Sequence, residues 1–337
     1  MTGGRRALVD ELRIEPAAVA DELTAFICRA VENFQRDGAI VGLSGGIDSA
    51  VVAALAARAL GPERVLGLIL PERDSEPRSK RDALRLARSL GIRRKTVGLM
   101  LPLALLGVYR QVPLWVLPTR RLRAKMVRRY YARYAETLEK GETPFSAVMV
   151  GTRGLRGPWL NQAVAYHRVK VRLRMVLLYY QAELENLLVV GTCNHTELAV
   201  GFFVKHGDAA ADVDPLAGLY KTQVRQLAAH LGVPPEIIAR PPSPDLLPGL
   251  TDEFAIGMDY ATLDRVLWLL KRGEEAGTIA TALELDLAQV HYVQELARRS
   301  AHMRAPPIAP PQVHRSSEVQ LTTSPFGDII LSELSED

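Results

Sequence analysis

Residues 39 to 60 run from a short apolar segment through a glycine-rich turn into an alanine-rich helix. This order constrains the fold more than any other feature of the chain. Ala39 to Leu43 has the length and composition of a buried strand. Ser44-Gly45-Gly46-Ile47-Asp48-Ser49 follows, then a helical stretch to Leu60 that Gly61 closes. Before it, Pro16 opens a helix whose apolar residues, among them Leu23, Ile27, Ala30 and Phe34, recur on one face. After it, Val65 to Leu70 reads as a strand, Pro77 to Leu90 as a helix closed by Gly91, and Lys95 to Leu99 as a third strand. Strands alternating with helices predict an α/β fold, a doubly wound parallel sheet with helices on both faces. Such sheets bind ligands outside the carboxyl ends of their strands, where the glycine-rich turn lies.

The rest of the chain is less even. Residues 100 to 165 contain a basic helical stretch, Arg120 to Tyr134, and a glycine-rich loop, Gly151 to Gly157. A helix is expected from Arg168 to about Glu185, a buried strand over Leu187 to Val190, and a further helix over Lys221 to Leu231. Pro234 to Pro248 is expected to be a loop, because proline removes backbone donors. Thr262 to Lys271 and Leu287 to Ser300 read as closing helices. Residues 1–310 are expected to form one domain with an atypical basic insertion at about 100–165, and 311–337 a mobile tail.

With 337 residues, 48% of them hydrophobic, the chain can bury a sizeable core. No apolar run reaches membrane-spanning length, and Arg5 and Arg6 are followed by acidic residues rather than a signal-peptide core. Two distant cysteines, Cys28 and Cys193, suggest free thiols in the cytoplasm. A net charge of +4 suits anionic ligands without requiring nucleic acid.

The glycine-rich turn is built for phosphate. Its glycines let the backbone approach closely, and the N–H groups at the helix start point at the anion. Ser44 and Ser49 add hydroxyls. Asp48 would repel a phosphate unless a cation lay between them, which implies Mg²⁺. No lysine follows the glycines, so this is not the Gly-x-x-x-x-Gly-Lys-[Ser/Thr] loop.

The hexapeptide resembles the pyrophosphate-binding loop of the ATP pyrophosphatase group. Gly191-Thr192-Cys193-Asn194-His195-Thr196-Glu197, then Gly201 to Asp208, Asp212-Val213-Asp214-Pro215-Leu216 and Leu219-Tyr220-Lys221-Thr222 resemble the NAD synthetase family in particular. So do Lys170 to Met175, Pro248 to Glu253 and His302-Met303-Arg304. The resemblance implies an adenine nucleotide alpha-hydrolase-like fold and a C–N bond-forming ligase. Such an enzyme amidates deamido-NAD with ammonia and ATP, through an acyl-adenylate. It further implies that Gly42, Leu43 and Ser44 to Ser49, with Thr192, Lys221 and Ser243, bind ATP. Asp48 and Glu197 would hold Mg²⁺. Arg172, Lys205, Asp212 and His302 would contact the acid substrate, and Asp48, Lys221 and Asp212 would be catalytic. A homodimer is expected, with ammonia from solution or from a separate donor.

Lys221 opens a helix, where a cation opposes the dipole. That cost is a hint, independent of the resemblance, that its charge is used. The departures from the family pattern fall on the acid side. They are Ala209-Ala210 after Gly207-Asp208, Arg168 in place of Asn, Met303 after His302, and a longer segment from Thr96 to His167. They keep open an amide synthetase acting on a different carboxylate, and less so a tRNA-adenylating enzyme. For the basic stretch the favoured reading is a solvated helix lying over the domain rather than an RNA surface.

Overall fold

A computed structural model describes residues 12–111, 119–136, 143–149, 158–245 and 248–307. Its sheet has four parallel strands: β1 (Gly38–Gly42), β2 (Val65–Ile69), β3 (Arg93–Thr96) and β4 (Leu187–Val190), in the order β3-β2-β1-β4. Ile40 stands opposite Leu66 on one side and Val189 on the other. Gly38 allows the close approach at the start of β1, since a Cβ there would lie 2.1 Å from the Arg64 carbonyl oxygen.

Helices cover both faces. Ala39 and Val41 point to one core with α1 (Pro16–Asn33), α2 (Ile47–Leu60) and α3 (Pro77–Ser89). Ile40, Leu66, Leu68 and Val189 point to the other, against α4 (Met100–Leu105) and α5 (Val108–Gln111). This double coverage is why β1, β2 and β4 read as continuous apolar runs. β3 is different: its four residues are all exposed, and it begins two residues before the expected strand. The apolar Val97 and Leu99 continue hydrogen bonding to the carbonyls of Ile69 and Pro71 beyond it. The apolar signal at Val97 and Leu99 lies past the strand itself, because this exposed edge strand carries none.

The next helices are α6 (Arg120–Ala135), α7 (Pro144–Met149) and α8 (Pro158–Leu184). α8 starts ten residues before the expected Arg168. It also packs its buried residues on the second core, through Tyr166 and Ala182. β4 then leads to α9 (His195–Val200), α10 (Lys221–His230) and α11 (Pro235–Ile238). α11 corrects the expectation that 234–248 is all loop. Its prolines sit at the helix start, where the missing N–H would have no helical partner anyway. Helices α12 (Asp252–Ile256), α13 (Tyr260–Lys271), α14 (Ala276–Leu283) and α15 (Leu287–Arg304) form a further apolar core with Val200 and Phe203. No helix among the described residues is long and apolar enough to cross a membrane. The Gly151 to Gly157 loop and the tail from residue 308 lie outside the described residues.

The chain builds β1, β2 and β3 in one direction and then returns to place β4 on the far side of β1. The turns after β1 and β4 therefore diverge, and a crevice opens between them.

Candidate active site

Gly42 and Leu43 carry β1 into the glycine-rich turn, which lines a cavity of about 1160 Å³. Gly45 has φ +78°, and a Cβ on it would lie 2.3 Å from the Ser79 carbonyl oxygen. The two serines fold the turn on itself. Ser44 Oγ lies 3.0 Å from Ser49 Oγ and accepts from the Gly46 N–H at 3.1 Å. Ser49 Oγ donates to the Gly46 carbonyl at 3.0 Å. Their first role is thus to shape the loop. Ile47 begins α2, and Asp48 in its first turn favours the helix dipole.

β4 ends at Gly191, and Thr192 lines the same cavity. Asn194 then caps α9 by accepting from the Glu197 N–H at 3.0 Å, and its side-chain amide donates to Asp48 Oδ1 at 3.0 Å. Lys221, at the start of α10, is fully buried. Its ammonium donates to Asp48 Oδ2 at 2.6 Å and to Glu197 Oε1 at 2.9 Å. Burial works against that charge, but Asp48 and Glu197 outweigh it and hold Lys221 protonated. Asp252 also lines the cavity and accepts from the Tyr260 hydroxyl at 3.0 Å. Burial and the neighbouring Asp48 and Asp252 push Glu197 upward against the pull of Lys221. Two carboxyl groups thus contact one ammonium and Asp252 lies near it, and the upward push on Glu197 comes from this crowding together with burial.

Among the predicted site residues, those read for ATP and metal are brought together. Ser243 lines the cavity too, with its hydroxyl donating to the Leu250 carbonyl at 2.8 Å. The acid-side residues form a separate surface strip. The Arg172 guanidinium donates to the Lys205 carbonyl at 3.3 Å, and the Lys205 ammonium donates to the His302 carbonyl at 3.0 Å. His302 Nδ1 lies 2.8 Å from the Arg299 carbonyl. None of these three is among the cavity-lining residues. Asp212 braces the sheet, accepting from the Val189 N–H at 2.8 Å and the Tyr179 hydroxyl at 3.1 Å.

Residues to which the sequence attached no cavity role also reach it. Tyr166, His167, Arg168 and Arg174 come from α8, and Tyr130, Tyr131 and Tyr134 from α6. Burial, with the Lys170, Arg168 and Arg174 cations, holds His167 down at about 4, so its imidazole is neutral at pH 7. The α6 tyrosines alternate with arginines that tie the helix down. Arg120 donates to the Asp74 carbonyl at 2.6 Å and Arg128 to the Gly249 carbonyl at 2.8 Å. These bonds hold α6 to the domain, and its aromatic side chains help wall the cavity.

Asp214 stands behind the Gly191 turn. A Cβ on Gly191 would lie 2.0 Å from Asp214 Oδ1 and 2.7 Å from Ala211 Cβ, so glycine allows the close approach here. Burial pushes the Asp214 carboxyl up to about 6 from its ordinary 3.8. The folded chain then keeps this proton between about pH 4 and about pH 6, where the unfolded chain has lost it. Its contribution to stability therefore falls as pH rises through that window. Asp214→Asn is expected to melt above the wild type at pH 7.5, with the gap closing toward about pH 4. Equal gaps at both pH values in thermal denaturation would contradict this.

Fold and site together define a doubly wound α/β protein with a glycine-rich turn at its topological switch point. A family model described as NAD synthase matches residues 19–135 and 145–307, and the chain belongs to that family. The match runs through most of the segment read as an insertion and is interrupted over 136–144. The chain is 43% identical over 276 residues to an NH(3)-dependent NAD(+) synthetase of Coprothermobacter proteolyticus, covering 80% of this chain and 92% of that one. Among solved structures, the NMN synthetase from Francisella tularensis superposes with a TM-score of 0.63 at 26% identity, covering 88% of this chain and 99% of that one. The NH3-dependent NAD synthetase from Campylobacter jejuni has the same fold, with a TM-score of 0.60 at 24% identity, covering 89% and 100%.

Proposed function

We propose that this chain is an ammonia-dependent NAD synthetase. The observation that carries this reading is Lys221, fully buried between Asp48 and Glu197 beside the glycine-rich turn. An ammonium held there is placed to neutralise the charge that builds as pyrophosphate leaves. A carboxylate oxygen of the substrate attacks the α-phosphorus of ATP and the bond to the β-phosphate oxygen breaks. The acyl-adenylate and pyrophosphate result. Ammonia then attacks the acyl carbon, AMP leaves with the carboxylate oxygen, and the nitrogen loses a proton to give the amide. Activation is needed because a free carboxylate is a poor electrophile.

Asp48 and Glu197 suit Mg²⁺. No group of three or more His, Cys, Asp or Glu side chains among the described residues is arranged to hold a metal alone. Two carboxylates completed by substrate phosphates are the usual way this ion is held. Bound there, it would offset phosphate charge. The chain's own contribution is the turn, the Lys221 ammonium, and Asn194, which holds the Asp48 carboxylate to the start of α9.

The NMN synthetase neighbour favours one second reading, the mononucleotide acid as substrate. Competition between the two acids, with products read by mass spectrometry, separates them. The dinucleotide is expected to be amidated faster, and preference for the mononucleotide would reverse the assignment.

The protein is also proposed to act as a homodimer. α4 leaves Leu101 and Leu105 outward at 67% and 80% exposure, and α8 leaves Tyr180 and Leu184 outward at 61% and 59%. Exposed apolar side chains of this kind on α4 and α8 fit a second copy of the chain. Light scattering is expected to give the mass of two chains for the wild type and of one for Tyr180→Glu/Leu184→Glu. A monomeric wild type at micromolar concentration would end this proposal.

A further inference from the structure

Lys221 and Glu197 lie on different helices, and both side chains leave the first turn of their helix. Something must fix those two turns against each other. The contacts at their backs converge on one group, Asp264 of α13, which is fully buried and far from both in sequence. Asp264 Oδ1 accepts from the Thr196 hydroxyl at 2.6 Å. Asp264 Oδ2 accepts from the Thr222 backbone N–H at 2.7 Å. The Thr196 oxygen in turn accepts from the Lys221 backbone N–H at 3.0 Å. Thr196 directly precedes Glu197, and Thr222 directly follows Lys221.

One carboxylate therefore closes the starts of α9 and α10 together. Thr196 has a single hydroxyl hydrogen, which goes to Asp264, so its lone pair is left for Lys221. The direction of every bond in the link is fixed. The same carboxylate puts negative charge at the N-terminus of α10, the end where the Lys221 cation is least favourable. A plain helix cap would serve one helix; this group binds two, and each carries one member of the Lys221–Glu197 pair.

We propose that Asp264 is a positioning residue: through Thr196 and Thr222 it sets the separation of Lys221 and Glu197 at the phosphate-binding end of the cavity. This rests on the synthetase reading for its catalytic consequence, but not for its geometry.

The test uses the full-length protein and three variants, Asp264→Asn, Thr196→Val and Thr196→Ser. Thr196→Val keeps the shape of the side chain and removes the hydroxyl, whereas Thr196→Ser keeps the hydroxyl. Two readouts are taken at a temperature where each variant is folded. They are kcat for pyrophosphate release, and binding of inorganic pyrophosphate with Mg²⁺ by isothermal titration, which needs no turnover. Thr196→Val and Asp264→Asn are expected to lose at least about tenfold in both, and Thr196→Ser to stay within about twofold of wild type. If Asp264→Asn does not fold, the valine and serine pair decides. Folded Thr196→Val within about twofold of wild type in pyrophosphate binding would overturn the proposal, whatever its melting temperature. A wild type that makes no NAD would count against the substrate reading alone, since the titration would still decide the positioning role.

Discussion

Lys221→Met is expected to lower the rate of pyrophosphate release by about 10² to 10³-fold, the usual cost of removing a preorganised charge-stabilising group. The loss should fall on the chemical step, because methionine fills much the same volume while the charge disappears. A second effect comes from what remains. Asp48, Glu197 and Asp252 would face one another with no ammonium among them, and breaking a buried ion pair in this way costs about 3–5 kcal/mol. Protonation of a carboxylate limits that cost, so the destabilisation should shrink as pH falls. Single-turnover kinetics and denaturant unfolding at two pH values check both parts. A variant with wild-type turnover would remove Lys221 from the chemistry.

Gly45→Ala is expected to be nearly as damaging, for a different reason. Alanine disfavours φ +78°, and its Cβ would meet the Ser79 carbonyl oxygen at 2.3 Å. That oxygen is backbone, at the start of α3, and cannot swing aside as a side chain could. Strain of this kind is on the order of 1–3 kcal/mol, and relieving it means moving the turn. Apparent ATP affinity, measured by titration, is expected to drop by at least about tenfold. Gly61→Ala is the control. Its φ of +81° is just as unfavourable, but a Cβ there meets nothing within 4 Å, and Gly61 lies away from the cavity. It should cost about 1–3 kcal/mol in stability and leave ATP affinity unchanged. Equal losses of affinity in both variants would show that the close approach at Gly45 is irrelevant.

The parallel sheet, its helices on both faces and the phosphate turn were legible in the sequence because they are written in local patterns. Continuous apolar runs such as Leu187–Val190 mean strands covered on both faces, and glycines after a strand mean a tight approach. β3 was misplaced because an edge strand made of Arg93, Arg94, Lys95 and Thr96 carries no apolar signal. Part of the site was readable from the resemblance, yet its internal wiring was not. Asn194 had a usable signal, since Asn194-x-x-Glu197 has the spacing of a capping box. Asp264 had none, and Asp252 lay within the Pro248 to Glu253 resemblance without a role attached to it. They come from helices far along the chain, and only the fold brings them to Asp48 and Lys221. The dipole cost at Lys221 pointed to a charge that is used, but not to the group that offsets the cost. Asp212 shows the opposite case: the residue read for substrate contact also holds the edge of β4.

The most direct test of the central claim is a coupled assay with ATP, Mg²⁺, deamido-NAD and ammonium, following pyrophosphate and reading NAD by mass spectrometry. The wild type should form NAD and pyrophosphate in equal amounts, and Asp48→Ala should form neither. A folded wild type that binds ATP but yields neither product from deamido-NAD would contradict the assignment and move the search to other carboxylates.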